Sequence, residues 1–428
     1  MKLKLHWQIA IAIVGGGLMG WLTGDTAAIF GVLWYDIYDF FGTLFLNALK
    51  MLIVPLISAS IIVGVAGLGS SGNIGRLGGK TLGFYVMTTL SAVLVGLVIL
   101  NIVRPGELDG EPVREMLALE LAAGEVSQQV TDKGAGDIVQ VLLRAVPPNI
   151  IQAASEGQLL GIIVFCLLFG FFMTRLEHVY AETLMNFWTG VFQVMMRMTE
   201  WVMLFAPIGV FALVARVVAR TGFDAAGPLL LFAGCVLAGL AVHAFITLPL
   251  LLRFVARLAP LKFMQQISPA LLTAFSTASS SATLPITMDK VEKEVGVSNR
   301  VSSFVLPLGA TVNMNGTALY ECASVLFIAQ AYGVALDIPT QILVVITALV
   351  TSIGVAGIPA ASLVAIAIIL GAVGLPVEAI AVLFVFDRVL DMARTSVNVF
   401  GDACCAAIVA RLEGEKFGEP DEVAEAPS

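Results

Sequence analysis

The chain has 428 residues, of which 58% are hydrophobic and only 13% charged, and its mean hydropathy is +0.95. A soluble globular domain is about 25% charged, so that class is excluded and an all-α polytopic membrane protein is expected. The formal net charge of -8 carries no nucleic-acid signal, because much of the acid lies in one loop and the tail.

Met1, Lys2, Leu3 and Lys4 precede an apolar run, as in a signal peptide, but no Ala-x-Ala site follows at the right distance. A retained first span, Trp7 to Leu22, is therefore expected. In it Gly16, Gly20 and Gly24 fall four apart, a small-residue stripe that permits close helix approach. Leu33 to Gly69 reads as one long tilted helix, broken or bent near Pro55. Lys50 inside it either snorkels or pairs. Thr81 to Val103 is the third span. Arg104 to Asp137 is polar and mostly acidic, a solvated loop. Ile138 to Met173 is interrupted at Pro147, Pro148 and Asn149. Leu184 to Val218 is a long fifth segment in which Arg197 and Glu200 form a local ion pair. Leu229 to Val255 is the sixth span, with His243 alone in a hydrogen-bonded packing role. Cys166, Cys235, Cys322, Cys404 and Cys405 all lie in apolar stretches without metal-ligand spacing and read as small apolar fillers.

Lys and Arg in short loops set orientation. Lys2 and Lys4, Arg76 and Lys80, Arg175, and then Arg253, Arg257 and Lys262 fall on one side if each segment crosses once. That side is cytoplasmic, and both termini lie there. Arg216 and Arg220 are exceptions to the count.

After Lys262 the pattern changes. Phe263 to Phe275 and Ala282 to Met288 are apolar arms around a serine-rich tip, Ser276 to Ser281. A helix rises about 1.5 Å per residue and the hydrocarbon core is about 30 Å thick, so neither arm can cross. Both outer ends are basic, and a re-entrant hairpin with its tip at membrane depth satisfies both facts. Pro339 to Ser352 and Ala361 to Leu370 repeat the shape around a Gly- and Pro-containing tip, Ile353 to Ala360. Between the hairpins, Val301 to Tyr332 is split at Asn313 to Thr317 into an unwound turn whose free carbonyls suit Na⁺. This is the inverted-repeat logic of secondary transporters, with helix ends aimed at a midplane site.

The final apolar segment, Glu378 to Ala410, carries Asp387, Asp391, Arg394, Thr395, Asn398 and Asp402 at intervals of three or four residues, which places them on one helical face. A charge at membrane depth costs several kcal/mol in rough terms, so such groups mark a substrate or ion path. A structural Asp391–Arg394 pair would explain two of these residues and not the stripe.

The serine run Ser279 to Pro285, the stretch Leu306 to Thr317 and the stretch Asp391 to Asn398 resemble the glutamate transporter family, which holds sodium- or proton-coupled dicarboxylate and amino-acid symporters and the excitatory amino-acid transporters. The likeness runs over nearly the whole chain. It implies eight membrane helices, two re-entrant hairpins, a homotrimer and an elevator mechanism. Residues 1–78 and 138–221 would be scaffold, 79–104 and 222–413 the mobile transport domain, 105–137 an external loop and 414–428 a cytoplasmic tail. It also implies a prokaryotic inner membrane, since the long eukaryotic-type loops are absent.

The resemblance implies that Arg394 grips the side-chain carboxylate of a small acidic amino acid, bidentate guanidinium geometry suiting the task, and that Asp391 takes its ammonium. Thr395, Asn398 and Thr317 complete the cage; Ser280, Ser362 and the tip backbone at Ile358 hold the main-chain carboxylate. Arg388 replaces an arginine that the family often carries before the serine run, where this chain has Ala278. One sodium site would use Asp402 with carbonyls of Gly309, Asn313 and Asn398. A second would use carbonyls of Thr311, Ser352, Ile353 and Val355. A third would use Tyr85, Thr88, Thr89, Asn313 and position 315. The family carries Asp at that last position; Asn315 offers no charge, so a weak or absent third site is expected. Glu321 stands where proton-coupled members carry an acid, and burial disfavours a charged carboxylate; a structural, hydrogen-bonded Glu is the other reading. The cargo would thus be aspartate or glutamate with Na⁺ and H⁺, in contact with membrane lipid, with no organic cofactor and no nucleic acid. A dicarboxylate or neutral amino-acid symporter and a substrate-gated anion conductance are the rival functions. An intramembrane serine hydrolase lacks a His–Asp pair near the serines, and no Gly-x4-Gly-Lys-Ser/Thr motif points to ATP.

Overall fold

The computed structural model describes residues 5–68, 75–117, 119, 126, 146–155, 159–222, 226–354 and 361–415. Helix dominates them, as the apolar runs require: at membrane depth a helix satisfies every backbone group within its own segment. The first helix, α1 (Leu5–Thr23), ends at Gly24, and a short hairpin of β1 (Ala28–Ile29) and β2 (Val32–Leu33) leads into α2 (Trp34–Leu68). Pro55 lies inside α2 without ending it.

The glycine stripe acts as expected at two of its three positions. A Cβ on Gly16 would lie 2.5 Å from the Phe211 carbonyl oxygen, and one on Gly20 would lie 2.4 Å from that of Ala215. Both contacts fall on α7 (Ala206–Thr221), so α1 and α7 touch backbone to backbone. A Cβ on Gly24 would meet nothing within 4 Å; at φ +55 this residue turns the chain.

Next come α3 (Gly75–Val103) and a second small hairpin, β3 (Glu107–Leu108) with β4 (Glu111–Pro112). The acidic loop from residue 127 onward, the side chain of Lys50 and most of the first half of the interrupted fourth segment lie outside the described residues. The expected break is present: Asn149 Oδ1 accepts from the backbone N–H groups of Ile151 and Gln152 at 2.9 and 3.1 Å and caps α4 (Ile150–Ser155). After it comes α5 (Leu159–Met173).

The fifth segment is not one continuous rod. It is α6 (His178–Met203) followed by α7, bent by 55°. The physical reason is Pro207 in the first turn of α7, which has no N–H to continue the α6 ladder. Arg197 and Glu200 form the expected exposed pair at 3.2 Å. Arg216, an exception to the basic-loop count, reaches Asp39 on α2 at 2.6 Å, so its charge is compensated across two helices.

The sixth span, α8 (Ala226–Ala256), contains two π-helical stretches, the first opening at His243. The first hairpin is α9 (Pro260–Thr277) and α10 (Ser280–Lys290), which turn at Ala278 in the left-handed region. Ser279 caps α10, its side chain accepting from the Ala282 N–H at 3.2 Å. The broken helix is α11 (Asn299–Val312) and α12 (Asn315–Ala331), interrupted at Asn313 and Met314. The second hairpin has arms α13 (Ile338–Gly354) and α14 (Ala361–Val373); its tip from residue 355 to 360 lies outside the described residues. A 3₁₀ turn, Val377–Leu383, feeds the last helix, α15 (Phe384–Leu412).

Among the described residues, two unbroken helices are long and apolar enough to cross a membrane, Leu77–Val103 and Ala226–Ala256, and the bent α6–α7 pair makes a third crossing if it counts as one. Every residue of α12 from Asn315 to Ala331 is buried, and so is the run Val397 to Ala410 of α15. These two helices are the core on which the polar stripe is mounted.

Candidate functional site

The stripe on α15 faces inward. Asp387, Asp391, Arg394, Thr395, Asn398 and Asp402 are all buried, and Arg394 is 0% exposed. Its Nη2 donates to Asp387 Oδ1 at 3.1 Å and to Asp391 Oδ1 at 3.0 Å, and its guanidinium lies 3.9 Å from the centroid of the Tyr320 ring. A cation over an aromatic face is stabilised by the ring quadrupole. Arg394 Nε and Nη1 have no hydrogen-bond partner. The second oxygen of Asp391 accepts from Arg388 Nη1 at 3.4 Å. Asp391 and Arg394 therefore do pair, as the simplest structural reading of the sequence has it, but the pair is one part of a four-group network. Asp387, expected from the sequence to be a network residue, anchors the arginine. Tyr320, from α12, had no signal in the sequence.

One to two turns further along, Asn398 joins α15 to the break in α11–α12. Its Nδ2 donates to Thr317 Oγ1 at 3.0 Å, and its Oδ1 accepts from the Gly316 N–H at 2.8 Å. Met314 Sδ lies 3.3 Å from the same amide nitrogen. Gly316 has to be glycine: a Cβ there would stand 2.9 Å from the Arg394 carbonyl oxygen. Ser280 and Ser362, at the inner ends of the two hairpins, are buried, and Ser362 Oγ has no partner. Ile358 lies outside the described residues.

The next layer is rich in oxygen. Asp402 Oδ1 accepts from Asn313 Nδ2 at 2.8 Å, and Asn313 Oδ1 is buried without a partner. A Cβ on Gly309 would come within 2.4 Å of Asp402 Oδ1 and 2.6 Å of Tyr85 Oη, so the glycine keeps this space open. A carboxylate and an orphan buried amide oxygen are hard oxygen donors of the kind Na⁺ takes, so these residues fit that ion. At the second set, Thr311 Oγ1 and Ser352 Oγ donate to carbonyls of their own helices, Leu308 and Leu349, at 3.0 and 2.8 Å. Ile353 lies in the last turn of α13, and Val355 lies outside the described residues.

The third set adjoins the first, for Tyr85 Oη lies against the same Gly309. Tyr85 Oη donates to the Val305 carbonyl at 2.7 Å, and Thr88 Oγ1 donates to the Phe84 carbonyl at 2.9 Å. Thr88 and Thr89 are buried. Asn315 turns its Nδ2 toward His243 Nε2 at 3.3 Å, which leaves Asn315 Oδ1 buried without a partner. His243 is thus hydrogen-bonded, as expected, and its partner is Asn315, where the resemblance led to an expected Asp. Glu321 on α12 is 0% exposed; its Oε2 accepts from Thr351 Oγ1 on α13 at 2.9 Å, and its Oε1 has no partner.

The chain matches the family described as the sodium:dicarboxylate symporter family over residues 5–412. It is 33% identical to a proton/glutamate-aspartate symporter of Escherichia coli (strain K12), covering 96% of this chain and 94% of the relative. It is 35% identical to a proton/sodium-glutamate symport protein of Bacillus subtilis (strain 168), over 96% and 94% of the two chains. Excitatory amino acid transporter 3 of Oryctolagus cuniculus is 33% identical, over 98% of this chain and 88% of its own length.

Proposed function

This chain belongs to the sodium:dicarboxylate symporter family, and on that premise we propose that it is a secondary symporter of acidic amino acids, aspartate or glutamate, driven by a sodium gradient, a proton gradient or both. The observation that carries the reading is Arg394. It is wholly buried and anchored through one nitrogen, and its Nε and Nη1 have no protein partner. An unpaired buried donor costs about 1–3 kcal/mol, so Nε and Nη1, which point to different sides of the guanidinium, each call for an acceptor, and a carboxylate oxygen supplies a charge-assisted one. Arg394 takes the substrate's side-chain carboxylate. Asp391 then exchanges part of its pairing with Arg394 and Arg388 for the substrate ammonium. Thr395, Asn398 and Thr317 enclose the molecule, and Ser280, Ser362 and the backbone near Ile358 hold its second carboxylate. Relatives named for glutamate and aspartate transport support the same cargo.

Na⁺ enters as co-substrate at Asp402 with Gly309, Asn313 and Asn398, and at Thr311, Ser352, Ile353 and Val355. The set around Tyr85, Thr88, Thr89 and Asn315 is at most a weak third site, because Asn315 supplies oxygen without charge. Glu321 carries a proton, and Arg388 supplies a compensating cation beside the arginine network. The working protein is a homotrimer of eight-span subunits with two re-entrant hairpins in a prokaryotic inner membrane, both termini cytoplasmic. In each subunit a transport domain (79–104 and 222–413) slides as an elevator against a scaffold (1–78 and 138–221).

The test is radiolabelled L-aspartate uptake into proteoliposomes, with sodium and proton gradients imposed separately and L-glutamate, succinate and L-serine as competitors. The acidic amino acids should compete and the other two should not. Arg394→Cys should abolish aspartate uptake and admit neutral substrates; unchanged aspartate selectivity in that variant would refute the role given to Arg394.

A further inference from the structure

His243 and Asn315 are both 0% exposed, and they meet through nitrogen: His243 Nε2 lies 3.3 Å from Asn315 Nδ2. An amide nitrogen only donates, so the imidazole nitrogen facing it is the acceptor and the ring proton sits on Nδ1. The helix departs from its regular register to present this ring. At His243 the Leu248 N–H donates to the carbonyl five residues back. Such π-helical stretches inside α-helices are frequent at functional sites.

Engaging the nitrogen of Asn315 turns its oxygen away from His243, and that oxygen is buried without a partner. Asn313 repeats the arrangement: its Nδ2 donates to Asp402 Oδ1 at 2.8 Å, and its Oδ1 is also buried and unpaired. A Cβ on Gly401 would stand 2.9 Å from Asn315 Nδ2 and 3.1 Å from Asn313 Nδ2, so both amides lie against α15 at one glycine. Tyr85 and Thr88 do not satisfy the two oxygens, because their hydroxyls already donate to the carbonyls of Val305 and Phe84. A buried polar group left unpaired costs about 1–3 kcal/mol, and a cation satisfies two such acceptors at once.

We infer that His243 is a positioning residue for the third cation set: by accepting from Nδ2, it holds the Asn315 amide with its oxygen rather than its nitrogen toward the ion. A carboxylate at this position would present oxygen whichever way it turned and would need no such partner. An amide needs one, because turned over it meets Na⁺ with a donor. His243 acts through Asn315 and supplies neither charge nor ligand. The inference rests on the proposed third set and adds to it a specificity residue from α8.

The experiment uses the full chain in detergent, without substrate. Its melting temperature is followed against sodium chloride, with choline chloride holding the ionic strength constant, since an ion bound to the folded state stabilises it by mass action. His243→Leu, which fills the space without an acceptor, should raise the sodium concentration for half-maximal stabilisation by about tenfold, equivalent to roughly 1.4 kcal/mol. His243→Gln, whose side-chain oxygen can accept from Nδ2, should stay near the wild-type value. In the Asn315→Asp background, where no amide has to be oriented, His243→Leu should not raise it. His243→Phe takes the place of His243→Leu if that variant does not fold. A sodium midpoint unmoved by loss of the acceptor, or raised equally with and without Asn315→Asp, overturns the inference and leaves the proposed function standing. A wild-type protein that sodium stabilises no more than choline does overturns the sodium reading and the inference with it.

Discussion

Arg394 and Asp387 stand seven residues apart on α15 and are joined by a 3.1 Å hydrogen bond from Nη2 to Oδ1. Two helical turns separate them, so this bond runs along the helix and ties a fully buried cation to the segment just inside the 3₁₀ entry. With Asp391 it supplies two carboxylates against Arg394 and Arg388.

That balance predicts the behaviour of Asp387→Asn. Two guanidinium groups would then share the single carboxylate of Asp391. The substrate-free protein should lose about 1–3 kcal/mol of stability, read as a lower melting temperature in detergent. L-Aspartate should restore more of it than in the wild type, because the ligand brings carboxylates of its own and stabilises by mass action. A substrate-free melting temperature equal to that of the wild type would contradict the anchoring role.

Gly309→Ala tests the first cation set. The added methyl would sit 2.4 Å from Asp402 Oδ1 and 2.6 Å from Tyr85 Oη, so one of them must move. The sodium concentration for half-maximal uptake should rise by about tenfold, equivalent to roughly 1.4 kcal/mol, with the protein still eluting as a single species. An unshifted sodium curve would remove Gly309 from the site.

Asn315→Asp places a carboxylate where an amide now faces His243 at 3.3 Å. Uptake should depend more steeply on sodium. Part of the new charge is spent on His243, so Asn315→Asp combined with His243→Ala should be steeper than Asn315→Asp alone. An unaltered sodium response in both variants would rule out a third, weakened site.

Glu321→Gln separates the two gradients. The amide cannot exchange a proton, yet it can still accept from Thr351 Oγ1 as Glu321 Oε2 does at 2.9 Å. Sodium-driven uptake should persist and the response to an imposed proton gradient should disappear. A retained proton response would return Glu321 to a purely structural role.

The sequence by itself determined the membrane class, the paired arms of the two hairpins, the broken helix at Asn313 and the inward polar stripe on α15. Each is a local property: hydropathy, helix length against bilayer thickness, the breaking power of Gly, Pro and Asn, and a period of three to four are all read within one segment. Tertiary structure decided which groups meet. Tyr320 lies under Arg394, Met314 and Thr317 sit against Asn398, Thr351 reaches Glu321, and His243 faces Asn315 because α8, α12, α13 and α15 converge on one buried core. Those partners come from segments 30 to 84 residues apart, and no periodicity along one helix encodes its neighbour across a bundle. The bend between α6 and α7 and the pairing of Arg216 with Asp39 arise in the same way, from packing between helices that hydropathy treats as separate.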